Sequence, residues 1–288
     1  MQVVDRELTR FRQWLAGELS GKVAGPNAAE VRQRVMETPG PRWFGEDRPI
    51  RRVHGDAAIF IGGLRALLLQ SLHPLAMAAV AAHSGYRGDP WGRLQRTSAF
   101  LATTTYGTAE DAERIVAVVR AVHERVQGTA SDGRPYAASD PHLLEWVHVA
   151  EVDSFLRCHQ RYGAEPLDDA GADGYVTDMA RIAIELGVPD PPRTRAELAE
   201  RLRAFRPELA GTPEARAAAR FLLLNAPLPL PARPPYAVLA AASVAIALLP
   251  SWARWPLRLP YLPLTEATAI RAAGHTLVGG LRWVLGAR

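Results

Sequence analysis

The chain has 288 residues, 48% of them hydrophobic, enough for one large core that encloses a cofactor. Its net charge of +4 comes almost wholly from arginine, since Lys22 is the one lysine; no RNP motif, zinc finger or dense basic run with interleaved aromatics is present, so nucleic acid is excluded as a partner. One cysteine, Cys158, excludes a disulfide framework and a cysteine-based zinc site, and it fits a reducing, cytoplasmic compartment.

The N-terminus lacks the basic-then-apolar order of a signal peptide. Val3, Val4, Leu8, Phe11, Leu15 and Leu19 recur instead at helical spacing, which predicts amphipathic helices over 2–20 and then 27–37. Residues 39–56 read as a proline- and glycine-punctuated connection. A helix over 56–73 is apolar nearly all round and therefore buried; Pro74 interrupts it, and a second helical stretch reaches His83. Asp89 caps the next helix, with Pro90 in its first turn, where a missing N–H costs nothing.

Further helices are expected near 108–127, 139–161, 172–187, 194–204, 213–224, 235–249 and 263–284. The proline-rich segment 225–236 reads as an extended strap. The most apolar run, 236–250, is shorter than the roughly 20 residues a spanning helix needs. It reads as a buried core helix; a membrane-associated hairpin, and so peripheral membrane association, is the second reading. Alternating β-branched runs are absent, as are Asn-Gly or Asp-Gly hairpins flanked by them. The expectation is one all-α domain over 1–288 with about ten helices: N-terminal helices and a connection to 55, a motif-bearing core over 56–160, and C-terminal helices over 161–288.

No Walker A loop, GxGxxG or GxSxG occurs, which removes the usual support for nucleotide and serine-hydrolase chemistry. Among eight histidines, His73, His123 and His148 fall in apolar helical sequence. Each alone reads as a hydrogen-bonded core histidine. Together, as neutral imidazoles in an all-α protein, they suit axial ligation of a haem iron. A di-iron site needs two Glu-x-x-His pairs, and Glu145 with His148 is the one pair present. A single iron held by His123, His148 and Glu151 is the remaining non-haem arrangement.

Arg93, Arg96 and Thr97 share one face of the helix that Asp89 opens. If that face is buried, each guanidinium needs a carboxylate, a carbonyl or an anionic ligand. Glu145, Glu151 and Asp153 are the structural candidates. A cofactor at the distal side is the functional one.

These residues also carry a resemblance. The chain has His73-Pro74, His83-Ser84, Asp89-Pro90-x-x-Arg93-x-x-x-Thr97 and Tyr106-Gly107. His123-x-x-Val126-x-Gly128 comes next, and then the run from Tyr136 through Asp140-Pro141 and Trp146 to His148. In order and spacing, densely over 62–154 and more loosely to about 260, this resembles the family of the MpaB-type oxygenases and the rubber oxygenases called latex clearing proteins. The resemblance implies a helical fold related to the globin-like core of the rubber oxygenases, and one haem b. It implies His123 as the proximal iron ligand, with His148 and His73 as further cofactor-binding candidates. It places Arg93 and Thr97 on the distal side. Arg96 falls where rubber oxygenases carry an iron-ligating lysine; a guanidinium does not deprotonate and is a poor ligand. The implied reaction uses O2 on a small hydrophobic substrate, isoprenoid or otherwise. A haem-binding protein without turnover and a non-haem iron enzyme are the alternatives.

Overall fold

Helix dominates the computed structural model, which describes residues 28–83, 88–224 and 235–286 and a few positions between 12 and 25. Most of the helix expected over 2–20, and the strap over 225–234, lie outside the described residues. The all-α class is as expected: fourteen α-helical segments and one two-stranded ribbon make up the regular structure described. In chain order they are α1 (Ala28–Glu37), α2 (Pro49–Gly55), α3 (Ile59–Gln70), α4 (Pro74–His83), α5 (Pro90–Tyr106) and α6 (Ala109–Arg125). The ribbon β1 (Gln127–Thr129) and β2 (Pro135–Ala137) precedes α7 (Pro141–Tyr162), α8 (Asp169–Leu186) and α9 (Arg195–Phe205). A one-turn 3-10 segment, Arg206–Glu208, leads to α10 (Pro213–Leu224), α11 (Pro235–Leu248), α12 (Ser251–Leu257) and α13 (Pro263–Thr265). A π-turn, Glu266–Ile270, joins α13 to α14 (Arg271–Leu285).

The caps explain why the central helices start where they do. Asp89 accepts from the Gly92 N–H, Thr108 from Asp111, Asp140 from His142, Asp168 from Gly171 and Thr194 from Glu197. Each such cap contributes about 1 kcal/mol and fixes the first turn of the helix it opens. Helices α3 and α7 form the centre. Ile61, Leu68 and Leu69 of α3 are buried with Trp146, Val149, Val152 and Phe155 of α7. Gly62 lets the two backbones approach: a Cβ there would lie 2.7 Å from the Phe155 ring and 3.2 Å from its Cα. One hydrophobic cluster runs from Trp43 through these helices to Val278 of α14.

Several expectations need correction. The connection over 39–56 contains α2. Pro49 opens it with its preset φ, Ile50 and Val53 face the core, and the Asp178 carboxylate of α8 accepts the Ile50 N–H at 3.2 Å. The helix expected from 56 starts at Ile59, because Asp56 turns back to accept the Ala58 N–H at 2.7 Å. Asp56 also accepts Arg282 of α14 at 3.0 Å, tying the end of α2 to the C-terminal helix.

The ribbon was not expected. Asp132 and Gly133 do form its turn, with Gly133 at φ +84°, but the strands pair three residues each, too short to show alternation. Among the described residues no single helix is long and apolar enough to cross a membrane. The α3–α4 pair meets length and composition only jointly, and it is bent by 109°.

Candidate active site

Helices α5 and α6 meet at a two-residue corner, Gly107 and Thr108, and pack on each other. Arg93 stands in the first turn of α5 and His123 in the last turn of α6. At 1.5 Å per residue each lies about 21 Å along its helix from the corner, so both sit at helix ends remote from it. The expectation of an inward arginine pair is corrected here. The Arg96 side chain is 66% exposed and lies 3.5 Å from the Asp89 carboxylate that caps its own helix. Thr97 is exposed, and its hydroxyl donates back to the Arg93 carbonyl at 3.1 Å. Arg93 is half-buried.

The carboxylates expected to receive these arginines are engaged elsewhere or stand apart. Glu145 lies 3.3 Å from Arg201. Asp153 takes Arg65 and Arg157, each at 2.7 Å. Glu151 makes no ion pair among the described residues. Among the described residues the buried arginines are Arg65 of α3 and Arg254 of α12, neither of which spacing singled out.

His123 is half-buried, and burial lowers its pKa, so its imidazole is neutral at neutral pH. Its Nδ1 is buried and has no hydrogen-bond partner among the described residues. The second concentration of such groups lies on α7. His148, Glu151, Phe155 and His159 recur three and four residues apart and form one stripe. Burial pushes His148 down to about 4, and its Nε2 has no partner among the described residues. Burial pushes Glu151 up to about 7. Both ring nitrogens of His159 are buried and unpartnered.

Beside this stripe stands a group that sequence reasoning missed. His54 of α2 places Nδ1 2.8 Å from the Thr105 hydroxyl of α5 and Nε2 3.3 Å from the Tyr175 hydroxyl of α8. Its ring meets Phe155 edge-on at 5.5 Å, and burial drives its pKa down to about 3. The missed signal was α2 itself: once Pro49 opens a helix, His54 falls one turn after the buried Ile50.

His73 is not inside a helix as expected. It occupies the turn between α3 and α4, fully buried, where its Nδ1 faces the Ala76 N–H at 3.4 Å. The three-ligand set of His123, His148 and Glu151 is not drawn together. Among the described residues the one trio of metal-ligating side chains with donor atoms within 4.8 Å of one another is His73, His142 and Glu208.

A haem needs a neutral imidazole with a free ring nitrogen in a largely apolar setting. His148, buried, meets that requirement; His123, half-buried, meets it at its buried Nδ1, which has no partner among the described residues. An all-α scaffold with neutral histidines whose ring nitrogens lack partners among the described residues is compatible with a helical oxygenase domain, and the comparisons supply that class. The chain belongs to the family described as "ER-bound oxygenase mpaB/B'/Rubber oxygenase, catalytic domain", whose model matches residues 51–283. It is also similar to two uncharacterized proteins, one from Mycobacterium bovis and one from Mycobacterium tuberculosis. Each is 37% identical over 102 residues, which is 35% of this chain and 39% of the relative. The chain therefore aligns with about two fifths of the length of these curated relatives. No solved structure matches.

Proposed function

We propose that this chain is a haem b-dependent oxygenase that uses O2 on a small hydrophobic substrate, isoprenoid or otherwise. The observation that carries the reading is His123: a half-buried, neutral imidazole whose buried Nδ1 has no hydrogen-bond partner among the described residues, on the helix after the one bearing Arg93 and Thr97. His123 would hold the cofactor. When bound, the haem supplies the redox chemistry and activates O2.

The chain's own residues supply the rest. The Arg93 guanidinium is permanently charged and donates hydrogen bonds to negative charge that develops on oxygen, a preorganised electrostatic role. The Thr97 hydroxyl, exposed and donating to the Arg93 carbonyl at 3.1 Å, ties the first turns of that helix together rather than offering a second donor. Arg96 is held outside by Asp89 and takes no part. Glu151, pushed by burial to a pKa near 7, is not drawn together with His123 and is assigned no step. The neutral stripe of α7, with His54 and Tyr175 kept un-ionised beside it, excludes water and suits an apolar substrate.

The test is spectroscopic. Purified protein should show a stoichiometric b-type Soret band and a matching pyridine haemochrome, and His123→Ala should lose both. Arg93→Ala should keep the haem and lose about a hundredfold or more in terpenoid-dependent oxygen consumption. Failure to take up hemin removes the cofactor from the reading. Full haem retention by His123→Ala removes the ligand.

A further inference from the structure

We propose that His73, His142 and Glu208 form a binding site for one divalent transition-metal ion, Zn2+ in kind, independent of the haem reading. Three separate segments bring the donors together: the turn between α3 and α4, the first turn of α7, and the 3-10 turn after α9. His142 Nε2 lies 2.8 Å from one Glu208 carboxylate oxygen and 3.0 Å from the other. His73 Nε2 lies 3.4 Å from the nearer of these. His73 is 1% exposed, and its buried Nε2, facing Glu208 at 3.4 Å without hydrogen-bond geometry, has no hydrogen-bond partner among the described residues. A buried ring nitrogen left in that state is costly, and it points at the carboxylate. An ion there gives it a partner.

The spacing suits the ion. Bonds of about 2.0–2.1 Å in a tetrahedron set donors about 3.3 Å apart. The His73–Glu208 separation already matches. The His142–Glu208 separation has to open by about half an ångström, and both side chains are half-exposed and free to give. Two imidazoles and one carboxylate favour Zn2+ and its first-row neighbours over Mg2+ or Ca2+, which take oxygen ligands. The same exposure leaves the fourth position to water.

The surroundings hold the ligands in place. The His142 ring lies against Phe205 at 4.7 Å, and His73 lies between Trp146 at 6.3 Å and Phe205 at 6.5 Å. The Ala210 N–H donates to the Leu72 carbonyl at 2.8 Å, fixing the turn that carries His73 next to the segment after Glu208. Two features oppose the ion, both weakly. Ligation through Nε2 moves the His73 proton to Nδ1 and gives up the long contact with the Ala76 N–H. Arg134 lies nearby, but its guanidinium is held by Asp132 at 2.7 Å. The site would clamp the α3–α4 turn to the start of α7, and His73 would serve it rather than the haem.

The test is calorimetric titration of the full-length, chelator-stripped protein with Zn2+, with Mg2+ as control and thermal unfolding alongside. The expected result is one Zn2+ per chain in the micromolar range or tighter, with a raised unfolding midpoint and no response to Mg2+. His142→Ala and Glu208→Gln should each weaken binding at least about tenfold. His73→Asn should do the same while its amide oxygen still accepts from Ala76; if it does not fold, the two surface variants decide. No saturable Zn2+ uptake, or uptake unchanged by His142→Ala and Glu208→Gln, overturns the site. Haem content measured on the same samples should be unchanged in those two variants, so failure here is distinguishable from failure of the haem reading.

Discussion

Helix α7 carries two buried polar regions built on opposite principles. On one face Asp153 and Ser154 receive Arg65 at 2.7 and 2.6 Å, and Arg65 Nε donates to the Leu248 carbonyl at 2.9 Å. Burial alone would raise the Asp153 carboxyl; Arg65 and Arg157 outweigh it and hold its pKa below the ordinary value. On another face His148 and His159 are just as enclosed and Glu151 is partly so, yet the ring nitrogens at His148 Nε2 and at both positions of His159 meet nothing among the described residues. The difference is one of charge. A buried charge persists only with its partner beside it. A neutral imidazole tolerates an unfilled nitrogen at smaller cost. The chain therefore commits charge where it fastens α3, α7 and α11 together, and keeps the histidines of the other region neutral.

Removing one side of the satisfied region should have the largest effect. Arg65→Ala leaves Asp153 buried with Arg157 as its remaining cation, and should cost about 3–5 kcal/mol in urea unfolding. The double variant Arg65→Met, Asp153→Leu should recover most of that loss, since a well-packed apolar pair replaces a buried ion pair at little cost. A single-variant loss below about 1 kcal/mol would mean that the pair does not fasten the helices.

The unpartnered stripe should respond to pH in the opposite sense to an ordinary ion-paired carboxylate. Glu151 has a folded pKa near 7, above its value in the unfolded chain, so the folded state binds more protons between about 4.5 and 7. Stability contributed by the protonated form is present below that window and lost as pH rises through it. Glu151→Gln should therefore stabilise the protein by roughly 1–3 kcal/mol at pH 8 and by almost nothing at pH 5. Denaturation at the two pH values checks this, and an equal effect at both would show that Glu151 is not desolvated.

The legibility of each feature in the sequence depends on the range of its signal. The Asp89-Pro90 start of α5, the Thr108 cap of α6 and the Asp140-Pro141 start of α7 are local, and the helices begin there. Spacing placed Arg93, Arg96 and Thr97 on one face, but periodicity within a helix does not say which face turns inward, and Arg96 turns outward. The proline and glycines around α2 hid a helix and with it His54, whose partner Tyr175 lies 121 residues away. His142 and Glu208 are 66 residues apart, joined by the return of α9 along α7, which no local pattern encodes. Motif order carried the family further than periodicity carried the site, because order survives without knowledge of tertiary contacts.

The smallest effect separates the two principles most directly. His148→Leu removes a buried nitrogen that has no partner, so near neutral pH the stability should change by no more than about 1 kcal/mol, in either direction. Its acid response should change more visibly. His148 has a folded pKa near 4, below its unfolded value, so the unfolded chain binds more protons between about 6.5 and 4. The parent loses that contribution as pH falls through the window, and the leucine variant should not. If the nitrogen serves the cofactor, hemin-reconstituted His148→Leu should also show a displaced Soret maximum or a lower haem occupancy. A spectrum identical to the parent's, with stability unchanged at neutral pH, would make His148 a tolerated core histidine and leave His123 as the imidazole that carries the haem reading.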